Sequence, residues 1–179
     1  MLKTIFIAFA VALGALLAYA ATRPDNFTIE RSARVNAAPE RVFALINDLK
    51  AFNGWNPYEK KDQALKGTYG GPQAGVGARY GWESKEVGIG SLEIVEAAAP
   101  GKVAMKLDFV KPFEAHNRAE FTIKQTADGA SEVTWAMHGP ANYMSKLMGV
   151  IFNMDRMVGK DFEDGLANLK ARAEAAPAA

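Results

Sequence analysis

The sequence contains no cysteine and only two histidines among its 179 residues. The first absence excludes disulfides, thiol catalysis, iron–sulfur clusters and Cys-ligated zinc together. The second leaves too few imidazoles for a histidine zinc site, and neither His116 nor His138 stands in a His-x-Glu or His-Glu-x-x-His spacing. Charge of one sign is lacking as well: 21 Lys and Arg face 20 Asp and Glu, a net +1. That balance offers no basic face dense enough for nucleic acid and no acidic tail for a basic partner. A Gly-x-Ser-x-Gly elbow is missing, and the glycine-rich stretch from Gly67 to Gly77 lacks the Lys-Ser/Thr ending that cradles phosphate. Neither a metal nor a cofactor is expected from these residues.

What the chain does have begins with an apolar run. Ile5 to Ala21 carries no charge, and as a helix it would be roughly 26 Å long, at the lower limit of a bilayer span. Residues 1–22 therefore read as an N-terminal transmembrane anchor or signal segment, with a buried core helix as a third reading. Lys3, the run to Leu17 and the small residues of Ala18-Tyr19-Ala20 suit a cleaved signal, which would leave a secreted or periplasmic protein. Tyr19, Arg23 and Pro24 suit the flank of a retained single-pass anchor in the cell membrane. Lys3 on one side and Arg23, Arg31 and Arg34 on the other leave the orientation open.

From Asn26 to about residue 174 the pattern is that of one soluble domain, of a size that can bury a sizeable core. Phe27 to Val35 reads as a strand. Pro39 opens a helix whose apolar stripe is Val42, Phe43, Leu45, Ile46 and Leu49. A short helical or turn segment around Ala51 to Asn56 follows. Six strand candidates come next: Leu65–Tyr69, Ala78–Ser84, Ser91–Ala97, Val103–Val110, Glu114–Gln125 and Glu132–His138. The turns between them are Gly70-Gly71-Pro72, Gly88-Ile89-Gly90, Pro100-Gly101 and Asp128-Gly129. A long helical stretch from about Ala141 to Ala173 closes the chain, with Leu147, Ile151, Val158, Phe162, Leu166 and Leu169 on one side. Gly149, Gly159 and Gly165 inside it predict close packing or a break near one of them. The order predicts an α+β domain, a curved antiparallel sheet around a C-terminal helix.

That order resembles the START-like helix-grip superfamily, whose bacterial branch is called SRPBCC or polyketide cyclase/dehydrase. The resemblance rests on Val35-Asn36-Ala37-Ala38-Pro39-Glu40-Arg41-Val42-Phe43, on Asp48 to Trp55 with Pro57, and on Trp135 before the closing helix. Gly75-Val76-Gly77-Ala78-Arg79-Tyr80, Lys111 to Asn117 and Asn153 to Glu163 are similar to a membrane-tethered bacterial subgroup. The resemblance implies a cavity between sheet and helix for a hydrophobic small molecule or lipid; it implies no particular reaction.

Strand alternation names the side chains that would line such a cavity. Tyr80 and Trp82 share a face of their strand, as do Met105 and Phe109, Asn117 and Phe121, and Trp135 and Met137. Trp55 stands on the turn before the meander, and Met148 and Phe152 come from the closing helix, where methionine adapts to varied ligand shapes. Core filling is the alternative use of each of these residues. Asn117 is distinctive, because an amide in phase with Ala119 and Phe121 faces an apolar interior. Both histidines fall in the outward phase. Asp155, Arg156, Lys160, Asp161, Glu163 and Asp164 read as an ion-paired helix face, and Glu59-Lys60-Lys61-Asp62 as a surface loop. No catalytic residue is assigned. A binding protein is the leading reading; a cyclase or dehydratase-like enzyme using Asn117 or a tyrosine, and an interaction or stress-related module without a ligand, are the alternatives.

Overall fold

The computed structural model describes residues 1–175. Helix α1 spans Leu2–Ala21 and is long and apolar enough to cross a membrane, with a mean hydropathy of 2.2 over its best window. Nearly all of its side chains are exposed, and Ala20 alone is buried. Strand β1, Asn26–Val35, follows. Helix α2, Pro39–Asn47, takes Pro39 in its first turn, where the missing N–H costs nothing. Asp48 caps the short helix α3, Leu49–Asn53, by accepting from the N–H groups of Lys50 and Ala51. Helix α3 has already ended at Gly54, and Pro57 instead opens a single 3-10 turn, Pro57–Lys60, started by the Asn56 side chain.

The meander comprises β2 Lys66–Gly70, β3 Arg79–Ser84, β4 Gly88–Ala98, β5 Lys102–Lys111, β6 Ala115–Gln125 and β7 Ser131–Pro140. The sheet is wholly antiparallel in the order β1-β7-β6-β5-β4-β3-β2. Gly88-Ile89-Gly90 is the start of β4, not the expected turn. Gly88 has φ +82, which favours glycine, and a Cβ at Gly90 would lie 2.5 Å from both the Trp82 ring and the Asp108 carbonyl. Those glycines let β4 pass beneath an indole.

The expected single closing helix is two helices. Helix α4 spans Tyr143–Ile151 and α5 spans Met154–Glu174. The break falls at Phe152, whose backbone is extended, and Asn153, whose side chain caps α5 by accepting from the Arg156 N–H at 2.9 Å. None of the glycines breaks the helix. Gly159 and Gly165 instead allow close approach: a Cβ would lie 2.0 Å from Arg31 Nη2 and 2.6 Å from Trp135 Cζ3 respectively. Helix α5 therefore lies against the concave face, chiefly on β1, while α4 packs principally on α1.

Candidate functional site

Every second residue of the strands points at the concave face, as the period of two requires. Ile94, Val103, Met105, Phe121, Ile123, Val133 and Trp135 are all buried there. Beneath α5 this layer is filled. The Trp135 ring stacks on Phe162 with centroids 4.1 Å apart and planes 8° apart, and Phe121 lies 5.0 Å from Trp135 on its other flank. Phe52 and Trp55 close the group edge-on. Trp55 is fixed by its Nε1, which donates to the Leu45 carbonyl at 2.9 Å, and by its own carbonyl, which accepts from Asn168 Nδ2.

A second aromatic group stands on β3 and β5. Tyr80 lies between Tyr69, 4.8 Å away, and Trp82, 6.4 Å away, and Trp82 meets Phe109 edge-on at 5.6 Å. The Tyr80 hydroxyl donates to Glu59 Oε1 at 2.7 Å. Burial, reinforced by the Glu59 carboxylate, pushes this phenol well above its ordinary pKa and keeps it protonated. The stretch Glu59 to Asp62 is thus not a free surface loop, because Asp62 also accepts from Ser84 Oγ and from the Ala64 and Lys85 N–H groups.

The expected lining residues divide by position. Trp55, Tyr80, Trp82, Met105, Phe121 and Trp135 are buried, with Trp55, Phe121 and Trp135 in the filled layer. Phe109, Asn117, Met137 and Met148 are half-buried, and Phe152 is 46% exposed in the break between α4 and α5. Met148 and Phe152 belong to the segment that leans on α1. Three polar atoms of this set are buried without a hydrogen-bond partner: Trp82 Nε1, Trp135 Nε1 and Asn117 Oδ1. A Cβ at Gly139 would stand 2.3 Å from Asn117 Oδ1, so the glycine of β7 is what leaves room for the amide.

Arg31 is the residue the sequence reading passed over. It shares the inward phase of β1 with Ile29 and Ala33 and pairs across to Trp135. Its guanidinium donates to Asp155 Oδ1 and Oδ2, to the Asp155 carbonyl and to Glu163 Oε1, all within 3.1 Å. Asp155 and Glu163 therefore reach back to the sheet instead of pairing along the helix, and only Lys160 with Asp164 keeps the expected i,i+4 bridge. An inward-phase arginine was the available signal, since a charge in that phase demands a partner.

The outward phase of both histidines is the observed one for His116, whose Nδ1 lies 2.7 Å from Asp108. That bond holds the His116 pKa above its ordinary value, away from the concave face. Among the described residues no group of three His, Asp or Glu is placed to hold a metal. Surface clefts of about 210 and 280 Å³ lie elsewhere, one around Lys50, Tyr69, Gln73 and Arg79, the other around Ser32, Arg34, Thr126 and Glu132.

A family model described as polyketide cyclase / dehydrase and lipid transport matches residues 26–174. No curated protein matches the chain. Among solved structures, a Nitrosospira multiformis protein is similar at 17% identity and a TM-score of 0.60, over 83% of this chain and 97% of its own. A Helicobacter pylori protein has a TM-score of 0.63 at 9% identity, over 83% of this chain and 88% of its own. DynU16, from the dynemicin biosynthetic locus, has a TM-score of 0.58 at 14% identity, over 85% of this chain and 48% of its own. At these identities the likeness is one of fold.

Proposed function

The chain belongs to the polyketide cyclase/dehydrase and lipid transport family, and on that premise we propose that it is a membrane-anchored binding protein for a small hydrophobic or lipid-like molecule. The ligand lies against the concave face, with Tyr80, Trp82, Met105, Phe109, Asn117 and Met137 as its wall. Trp55, Phe121 and Trp135 form the floor, and Met148 and Phe152 stand at the open end. The observation that carries this reading is the pair of unpaired polar atoms on the part of the concave face outside the filled layer, Trp82 Nε1 and Asn117 Oδ1. A buried donor or acceptor without a partner costs about 1–3 kcal/mol. A mostly hydrocarbon ligand carrying a hydroxyl or carbonyl would remove part of that cost. The exposure of α1 along its length supports an anchor over a core helix.

A cyclase-like reading has one specific observation in its favour, the buried Tyr80 hydroxyl held by Glu59. With its pKa pushed up, that phenol serves as a hydrogen-bond donor and not as a proton shuttle. Its one proton is given to the Glu59 carboxylate, so it polarises a ligand carbonyl only by exchanging that bond for one to the ligand.

The test is native mass spectrometry of the full chain extracted in mild detergent, with solvent extraction of whatever is bound. A defined apolar molecule bearing an oxygen function is the expected result. In Asn117→Leu its affinity falls about 5- to 30-fold, the loss of one buried hydrogen bond, with the fold retained by circular dichroism. Unchanged affinity in that variant removes Asn117 from the site, and repeated recovery of an empty protein overturns the binding reading.

A further inference from the structure

The antiparallel order brings four features to one end of the sheet: the start of β1, the end of β7, the β3–β4 turn and the β5–β6 hairpin. Large apolar side chains are exposed at this end and on the helix pair that follows β7. Val110 and Phe113 stand on the hairpin, Ile151 and Phe152 at the end of α4, and Met154 and Met157 in the first turn of α5, each between 40% and 62% exposed. Lys111 and Arg156 are exposed beside them.

Helix α1 is fastened to the same end. The Tyr143 hydroxyl donates to the Leu17 carbonyl at 3.0 Å, Lys146 Nζ bonds Asp25 Oδ1 at 2.5 Å, and the Ala141 N–H donates to the Asp25 carbonyl at 2.7 Å. Leu16 and Ala20, one turn apart, are the covered positions of α1. The segment between α1 and β1 is therefore no free tether. Even extended, the four residues from Thr22 to Asp25 would span only about 14 Å, and the bonds at Asp25 hold that segment against the start of α4. A bilayer that takes up α1 must come within reach of α4.

We propose that this end of the domain docks on the bilayer surface. Helix α4 lies in the interfacial layer beside the point where α1 enters, and Phe113, Ile151, Phe152 and Met157 reach into the lipid. The proposal rests on the anchor reading of α1. Helix α4, which ends in Ile151, packs on α1, and the aromatic, methionine and flanking basic residues of the patch are those that favour a lipid–water boundary. Docked in this way, the uncovered part of the concave face opens toward lipid. An apolar ligand then passes between bilayer and protein without crossing bulk water.

Because the chain has no cysteine, a single introduced one carries an environment-sensitive fluorophore at a unique place. The full chain is reconstituted in phosphatidylcholine–phosphatidylglycerol vesicles containing a nitroxide-labelled lipid as quencher. Labels are placed through Phe113→Cys, Ile151→Cys and Phe152→Cys, with Leu13→Cys inside α1 and Ala127→Cys on the β6–β7 turn as references. Docking predicts quenching at 113, 151 and 152 at least about threefold above that at 127, approaching that at 13. Strong quenching at 13 with 113, 151 and 152 behaving like 127 overturns the docking and leaves the anchor standing. No quenching at 13 overturns the anchor and, with it, the docking that rests on it. The hairpin label at 113 serves as an independent site if the α4 variants disturb their helix.

Discussion

Gly165 and Gly149 are both helical glycines, yet they face opposite surroundings. A Cβ at Gly165 would meet the Trp135 ring at 2.6 Å and the Pro57 ring at 3.1 Å, whereas one at Gly149 would meet nothing within 4 Å. Alanine is favoured over glycine in a helix by about 1 kcal/mol, and overpacking a rigid core costs about 1–3 kcal/mol. Gly165→Ala is therefore expected to lower stability by up to about 2 kcal/mol, the overpacking outweighing the helix propensity. The check is a lower urea midpoint at unchanged slope. Gly149→Ala should leave the midpoint unchanged or raise it. A stabilised Gly165→Ala would mean that α5 can move off Trp135 at little cost. Both glycines are visible in the sequence as weak points of a helix, but which one has a neighbour is decided by residues 30 and 108 positions away, Trp135 and Pro57.

At the scale of elements, α5 is held to the sheet by the apolar stack at Phe162 and by Arg31 at its first turn. The pair is solvent-accessible, so its worth is modest and salt-dependent. Its effect should be local. Arg31→Met is expected to speed amide hydrogen exchange in the first two turns of α5 and to leave exchange near Leu166 and Leu169 unchanged, read by exchange mass spectrometry. Bonding to Arg31 holds the Asp155 carboxyl below its ordinary pKa. A depressed carboxyl stabilises the folded state above its unfolded pKa, and that contribution is lost as pH falls through the folded value. The wild-type first turn should therefore loosen in acid below about pH 4, while Arg31→Met should lose that dependence. An unchanged acid response in the variant would show that other groups control the turn. Strand alternation placed Met105, Phe121 and Trp135 on the inner face from sequence because a period of two is a local property. The Arg31–Asp155 contact spans 124 residues and follows only from where α5 crosses β1.

For the whole molecule, all three tryptophans are buried and belong to the concave layer or its floor. Occupancy of that face should change the intrinsic fluorescence and raise the unfolding temperature. With the molecule recovered from the native protein at about a hundred times its Kd, the added stability is about 2.7 kcal/mol. Differential scanning fluorimetry on the stripped and reloaded full chain reads both effects. A bound molecule that moves neither the emission nor the melting temperature would place the ligand away from this face.

The sequence by itself determined the α+β class, the order of strands and helices, the apolar N-terminal helix and the inward phase of the strands. Each follows from composition or from a repeat a few residues long. The Asn153 cap that starts α5 is a local signal, but the tertiary structure decided that Gly159 and Gly165 stay inside the helix, through contacts with β1 and β7. It also decided which aromatic side chains fill the core beneath α5 and which polar atoms are left without partners. Those outcomes depend on the path of a helix across a curved sheet, and nothing in a local pattern encodes that path.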